Sequence, residues 1–187
     1  TLSETSNYYQ ATTTFNVTLE KYSVMLNSLR ATDDHYKGAV VSNTGRVYPQ
    51  GKGGLDFMVS EGETLAGIIV EFCADLGAKG YVIGLQDASN GCIWDDAASN
   101  AAAYTPTVAG YTWKLGSKEE YDIIYRYYHN CNSFVISAGG TGLWTGYRWT
   151  GTDSGDNAYV TASDQYTMPS VLKSKTESYP VRAIFAF

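Results

Sequence analysis

Two short apolar runs, Leu65–Cys73 (LAGIIVEFC) and Tyr81–Leu85 (YVIGL), constrain the fold more than any other feature of the chain. Each is rich in β-branched residues and bounded by polar, Gly-containing turn segments, so each reads as a strand. A strand open to water on one side alternates apolar and polar residues; a run apolar at nearly every position, as both are apart from Glu71, reads as a buried strand. Smaller pieces agree. Ala39-Val40-Val41 and Arg46-Val47-Tyr48 flank the turn Asn43-Thr44-Gly45 as a hairpin, and Phe15, Val17 and Leu19 alternate through Thr14–Glu20 as a further strand. Helix enters at Ser117. Ser117-Lys118-Glu119-Glu120 is a capping box, a Ser N-cap with a Glu three residues on. Tyr121, Ile124, Tyr125 and Tyr128 then recur on one helical face, which predicts a helix over Ser117–Cys131. A shorter helix is expected over Trp94–Ala103. The class implied is α+β.

Length and charge narrow the rest. The 187 residues suit one domain with an appendage. Polar residues 1–13 read as a lead-in, Tyr22–Leu29 fits either a strand or a short helix, and Arg30–Lys37 marks a boundary. The expected division is an arm or added strand over 1–37 and a domain over 38–187. Lys plus Arg number 13 against 19 Asp plus Glu, a net charge of −6, and no basic stripe stands out. Phosphate backbones need clustered cations, so no nucleic-acid partner is expected. No apolar run approaches the roughly 20 residues of a membrane span. Cys73, Cys92 and Cys131 are far apart, form no Cys-x-x-Cys pair and lie far from His35 and His129, so neither a metal nor a cofactor is expected. One disulfide with one thiol, and three free thiols, stay equally open. The chain starts Thr1-Leu2 without a charged-then-apolar leader; a processed secreted chain and a shortened one both look like this.

No catalytic set emerges. Gly140-Thr141-Gly142 with Gly146 lacks the Lys-Ser/Thr of a phosphate loop and reads as turn glycine. His129 falls late in the predicted helix, where the dipole favours it. Asp95-Asp96 beside Trp94 reads as a helix start or solvated loop before a metal or sugar contact. The densest mixture of aromatic and polar side chains lies instead in the last quarter: Trp144, Tyr147, Arg148, Trp149, Thr152, Asp153, Asp156, Asn157 and Tyr159. At period two, Trp149 and Arg148 cannot share a face. Trp149 is assigned to the core. Exposed Tyr among small polar residues is a composition suited to binding, since the ring supplies rigid contact area and its neighbours supply adaptable hydrogen bonds. The chain carries 16 Tyr and 4 Trp, which serve equally for cross-strand packing.

Arg148-Trp149-Thr150-Gly151-Thr152, Asn157-Ala158-Tyr159 and the closing Val181-Arg182-Ala183-Ile184-Phe185-Ala186-Phe187 resemble, in that order, the C-terminal half of C-type-lectin-like domains from bacterial surface proteins. Upstream, Gly45-Arg46-Val47-Tyr48, Gly84-Leu85-Gln86-Asp87-Ala88 with Trp94, and Trp113-Lys114-Leu115-Gly116-Ser117 resemble further segments of that family, Gly116 standing where Pro is usual. The resemblance spans about 38–187 and implies a twisted antiparallel sheet with one or two helices. The Glu-Pro-Asn or Gln-Pro-Asp motif of calcium-dependent lectins is missing, and no Cys follows Cys131 where formylglycine-generating enzymes use one. The branch it is most similar to is that of retroelement-diversified receptor-binding proteins such as phage tropism determinants. This implies a non-catalytic, secreted or surface-exposed recognition module, an adhesin or variable receptor-binding protein on a cell or virion. Its partner would be a protein or glycan on another cell or particle. The binding residues implied are Trp144, Tyr147, Arg148, Thr152, Asp153, Asp156, Asn157, Tyr159, Gln165 and Tyr166, above Trp149. A structural subunit of a surface fibre, oligomerising through the arm, and an enzyme of the formylglycine-generating branch are the alternatives.

Overall fold

The computed structural model describes residues 23–143, 146–163 and 170–187. The expected strand over Thr14–Glu20, and Trp144, Gln165 and Tyr166, lie outside the described residues. The fold is α+β. In chain order the elements are β1 (Val24–Met25), β2 (Val40–Ser42), β3 (Arg46–Tyr48), α1 (Lys52–Ser60), β4 (Leu65–Phe72), β5 (Gly80–Gly84), β6 (Ser89–Cys92) and α2 (Trp94–Ala102). They continue with α3 (Lys118–Ile124), α4 (Tyr128–Ser137), β7 (Gly146–Ser154), β8 (Asn157–Ser163), β9 (Ser170–Ser174), β10 (Tyr179–Val181) and β11 (Ile184–Ala186). No helix among the described residues is long and apolar enough to cross a membrane.

The two apolar runs become β4 and β5, neighbours inside a six-stranded antiparallel sheet of order β1-β3-β2-β4-β5-β11. Both of its faces are covered. Val41, Val47, Val82 and Phe185 point into one layer, with Leu26, Ala97 and Ala101 of α2, Trp113 and Trp149. Val40, Tyr48, Tyr81, Ile83 and Ile184 point into the other, against Met58 of α1, Tyr121 and Ile124 of α3, and Val135 of α4. Alternation along each strand therefore sorts apolar residues between two cores rather than between core and water. Of the described residues ahead of 38, several join the first layer: β1 pairs with β3, and Leu26 and Leu29 are buried.

The capping box forms as read. Ser117 Oγ accepts from the Glu120 N–H at 3.2 Å, and Glu120 Oε2 accepts from the Ser117 N–H at 2.9 Å. The helix over Ser117–Cys131 is corrected. It stops at Ile124, tightens into a 3₁₀ turn at Tyr125–Tyr127, and resumes as α4 through Ser137. His129 consequently sits in the first turn of α4, and the dipole account of it falls. Helix α1, which starts Lys52-Gly53-Gly54, was not expected at all. The closing strand is paired, as expected, but divides: β10 pairs with β6, and β11 pairs with β5 and bridges Lys114. All three cysteines are free thiols.

Candidate binding face

Strands β7, β8 and β9 form a separate antiparallel sheet. Trp149 pairs with Val160, and Val160 with Val171. Trp149 is fully buried, and its indole N–H donates to the Cys92 carbonyl at 2.8 Å. Arg148 was expected on the exposed side and is not: only 5% of it is accessible. The reason is that this sheet, near Tyr147–Thr150, is covered on both sides. Arg148 Nε donates to Asp87 Oδ1 at 2.9 Å, Nη2 to Oδ2 at 3.2 Å, and Nη1 to the Leu143 carbonyl at 3.3 Å. Arg182, wholly buried, places its Nε 2.9 Å from the same Asp87 Oδ1. Its Nη1 and Nη2 donate to the carbonyls of Gly84 and Thr141. Burial lowers the Arg182 pKa from its usual range, with Asp87 acting against it. Burial also opposes the Arg148 charge, but the Asp87 hydrogen bond and nearby groups outweigh it and the pKa rises. Arg148 is thus scaffold, tying β7 to the β5 loop and the C-terminal segment.

Register divides the other candidates. Tyr147 shares a face with Trp149, and Tyr159, adjacent to Val160, lies on the opposite one. The expectation of a single face holding both is corrected. On the Tyr159 side, α3 closes in: Lys118 Nζ lies 5.9 Å over the Tyr159 ring, and Thr152 Oγ1 accepts the Lys118 backbone N–H at 2.8 Å. Asp156 and Asn157 are exposed at the β7–β8 turn, where Gly155 adopts a positive φ of 67°.

On the Tyr147 side, rings from distant segments converge. Tyr147 meets Tyr179 of β10 edge-to-face with centroids 5.4 Å apart, and Tyr179 meets Trp149 at 5.0 Å. Lys173 Nζ lies 4.6 Å over the Tyr147 ring. Lys175 Nζ lies 4.3 Å over the ring of Trp94, the first residue of α2, and pairs with Asp153 at 2.7 Å. That hydrogen bond holds the Asp153 carboxyl below its ordinary value. Partial burial, then the bond to Glu177, pushes the Tyr179 hydroxyl up to about 12, and the same bond lowers Glu177. Trp94 also anchors itself, its indole N–H donating to the Thr150 carbonyl at 2.8 Å. A groove of about 330 Å³ continues past Trp94 between α2 and Lys114–Leu115. Asp95 and Asp96 occupy the first turn of α2, which accounts for their charge. Among the described residues no three metal-ligating side chains cluster.

Sequence reasoning missed Asp87, Lys173, Lys175, Tyr179 and Arg182 as members of this region. Arg182 left a readable signal, a lone charge inside an apolar alternation. Tyr179 and the lysines left none, because the rings that place them are distant in sequence: Lys173 meets Tyr147 26 positions away, Lys175 meets Trp94 81 positions away, and Tyr179 meets Tyr147 32 positions away. The sequence matches no family model and no curated protein.

Proposed function

We propose that the chain is a non-catalytic extracellular recognition module with a C-type-lectin-like fold, an adhesin or variable receptor-binding protein that engages a protein or glycan on another cell or particle. The observation that carries this reading is the convergence of Tyr147, Tyr179 and Trp94, from three separate segments, on one surface over the buried Trp149. Such a face separates support from display: the indole of Trp149 and the Asp87 cluster hold the backbone, while half-exposed rings and flanking polar groups meet a ligand. Tyr159, packed beside α3, is not part of it.

Glycan and protein arrays probed with the full chain identify the ligand. Against a ligand so found, Tyr147→Ala is expected to weaken binding about 30-fold or more, the effect of losing a central aromatic worth about 2 kcal/mol. Trp149→Ala is expected to destabilise the fold by about 3–5 kcal/mol. If Tyr147→Ala costs as much stability as Trp149→Ala, the ring is core and the face is wrongly assigned.

A further inference from the structure

We infer that the Tyr147–Tyr179 surface takes the carboxylate of an acidic sugar through Lys173, without a metal ion. This rests on the recognition face proposed above and specifies its ligand.

Lys173 stands on β9 opposite Ala158. Its ammonium lies 4.6 Å from the Tyr147 ring centroid and 6.0 Å from that of Tyr179. Lys175, two residues on, carries its own counter-ion, Asp153 at 2.7 Å. Lys173 makes no ion pair within 4.0 Å among the described residues; the carboxylate that feels its charge is that of Glu177, whose pKa it helps to lower. Ring quadrupoles orient an ammonium but do not neutralise it. A half-buried cation held in this way, with no carboxylate in contact, is a position an incoming anion completes.

The neighbours of Lys173 decide which anion. The two tyrosine rings, edge to face and each partly exposed, offer aromatic surface of the kind that packs the C–H face of a pyranose. Glu177, exposed beside them, accepts the Tyr179 hydroxyl and keeps lone pairs for further hydroxyl donors. A carboxylate, an apolar ring face and adjacent hydroxyls occur together in a uronic or sialic acid. An acidic peptide has the first without the hydroxyls. The chain's net charge of −6 disfavours long polyanions, so a single acid at the end of a glycan suits it better than a polymer of acids.

The test titrates the full chain, in chelator, with oligosaccharides ending in sialic or glucuronic acid and with their carboxyl-reduced counterparts. One acid-ended sugar is expected to bind at least 10-fold more tightly than its reduced form. Lys173→Gln should erase that preference without moving the melting temperature, and Lys173→Arg should retain it. Equal affinity for acid and reduced sugars overturns the inference, as does a preference unchanged in Lys173→Gln, or binding of Asp- and Glu-rich peptides in place of sugars. Capture of a neutral glycan or a protein that depends on Tyr147 overturns the acidic-sugar assignment and leaves the recognition face standing. A ligand whose binding is indifferent to Tyr147→Ala overturns both.

Discussion

Asp87 is the counter-ion of two buried arginines that lie 34 residues apart in the chain. Its side chain is 11% exposed, Arg148's is 6% and Arg182's is 0%. One carboxylate among two guanidiniums leaves a net positive charge, spread over backbone carbonyls of Gly84, Thr141 and Leu143. Gly84 ends β5, Asp87 lies in the loop after it, and Thr141 and Leu143 precede β7, so the cluster ties the segment before β7, and β7 itself through Arg148, to the end of β5 and its loop. Removing the carboxylate leaves two desolvated cations without an anion, the arrangement that makes breaking a buried pair expensive. Asp87→Ala is expected to destabilise the fold by about 3–5 kcal/mol, read from the denaturant midpoint. A loss under about 1 kcal/mol would mean the guanidiniums are solvated in place, and the cluster would not be what holds β7.

At the scale of elements, α3 depends on its first turn. It is only seven residues long, so its end groups are a large share of its hydrogen bonds. Ser117→Ala removes the acceptor for Glu120 N–H and is expected to cost about 1 kcal/mol, whereas Ser117→Gly should cost only a few tenths. Equal costs would show that the hydroxyl is not the capping group. This cap was legible in sequence because four consecutive residues specify it. The hairpin over 39–48, the strands β4 and β5, and α2 were legible for the same reason: each is set by its own turn residues or its own periodicity. What escaped was set by contact. Helix α1 carries Gly53-Gly54, which reads as a break. Yet a Cβ on Gly54 would lie 1.9 Å from the Pro49 carbonyl oxygen, so close approach of that backbone is what demands glycine there. Arg148 escaped because period two was taken to mean one face in and one face out, and here α3 and the segment before β7 cover the second face. Of the candidate site, Tyr147 and the supporting role of Trp149 were legible. Tyr179, Trp94 and the two lysines come near one another only through pairing of β10 with β6 and of β9 with β8.

For the whole molecule, the helix-covered core layer sets how stability responds to alkali. Cys131, Tyr121 and Tyr125 all lie in that layer. Burial pushes the Cys131 thiol from 9.0 up to about 12, only partly offset by Arg182, and carries both tyrosine hydroxyls well above their ordinary 10. Each group is one that loses a proton to become charged. Between its unfolded value and its raised folded value, the folded chain keeps a proton that the unfolded chain has released. Stability therefore falls as pH rises, from about pH 9 for the thiol and from about pH 10 for the tyrosines, by up to about 1.4 kcal/mol per pH unit for each group. The two tyrosines differ in what their hydroxyls do. Tyr121 donates to the Arg182 carbonyl, whereas the Tyr125 hydroxyl is buried without a partner among the described residues. Removing an unpartnered buried hydroxyl forfeits no hydrogen bond and relieves its desolvation. Tyr125→Phe is thus expected to leave the denaturant midpoint at pH 8 unchanged or raised, and to flatten the decline above pH 10. Tyr121→Phe should flatten the same decline but lower the midpoint at pH 8, corresponding to a loss of about 1 kcal/mol of stability, through its lost hydrogen bond. Midpoints measured for both variants at pH 8, 9.5 and 10.5 separate the two effects. A Tyr125→Phe variant that loses stability at pH 8 would mean that its hydroxyl has a partner in solution, and the alkaline decline would then have to be carried by Cys131 and Tyr121.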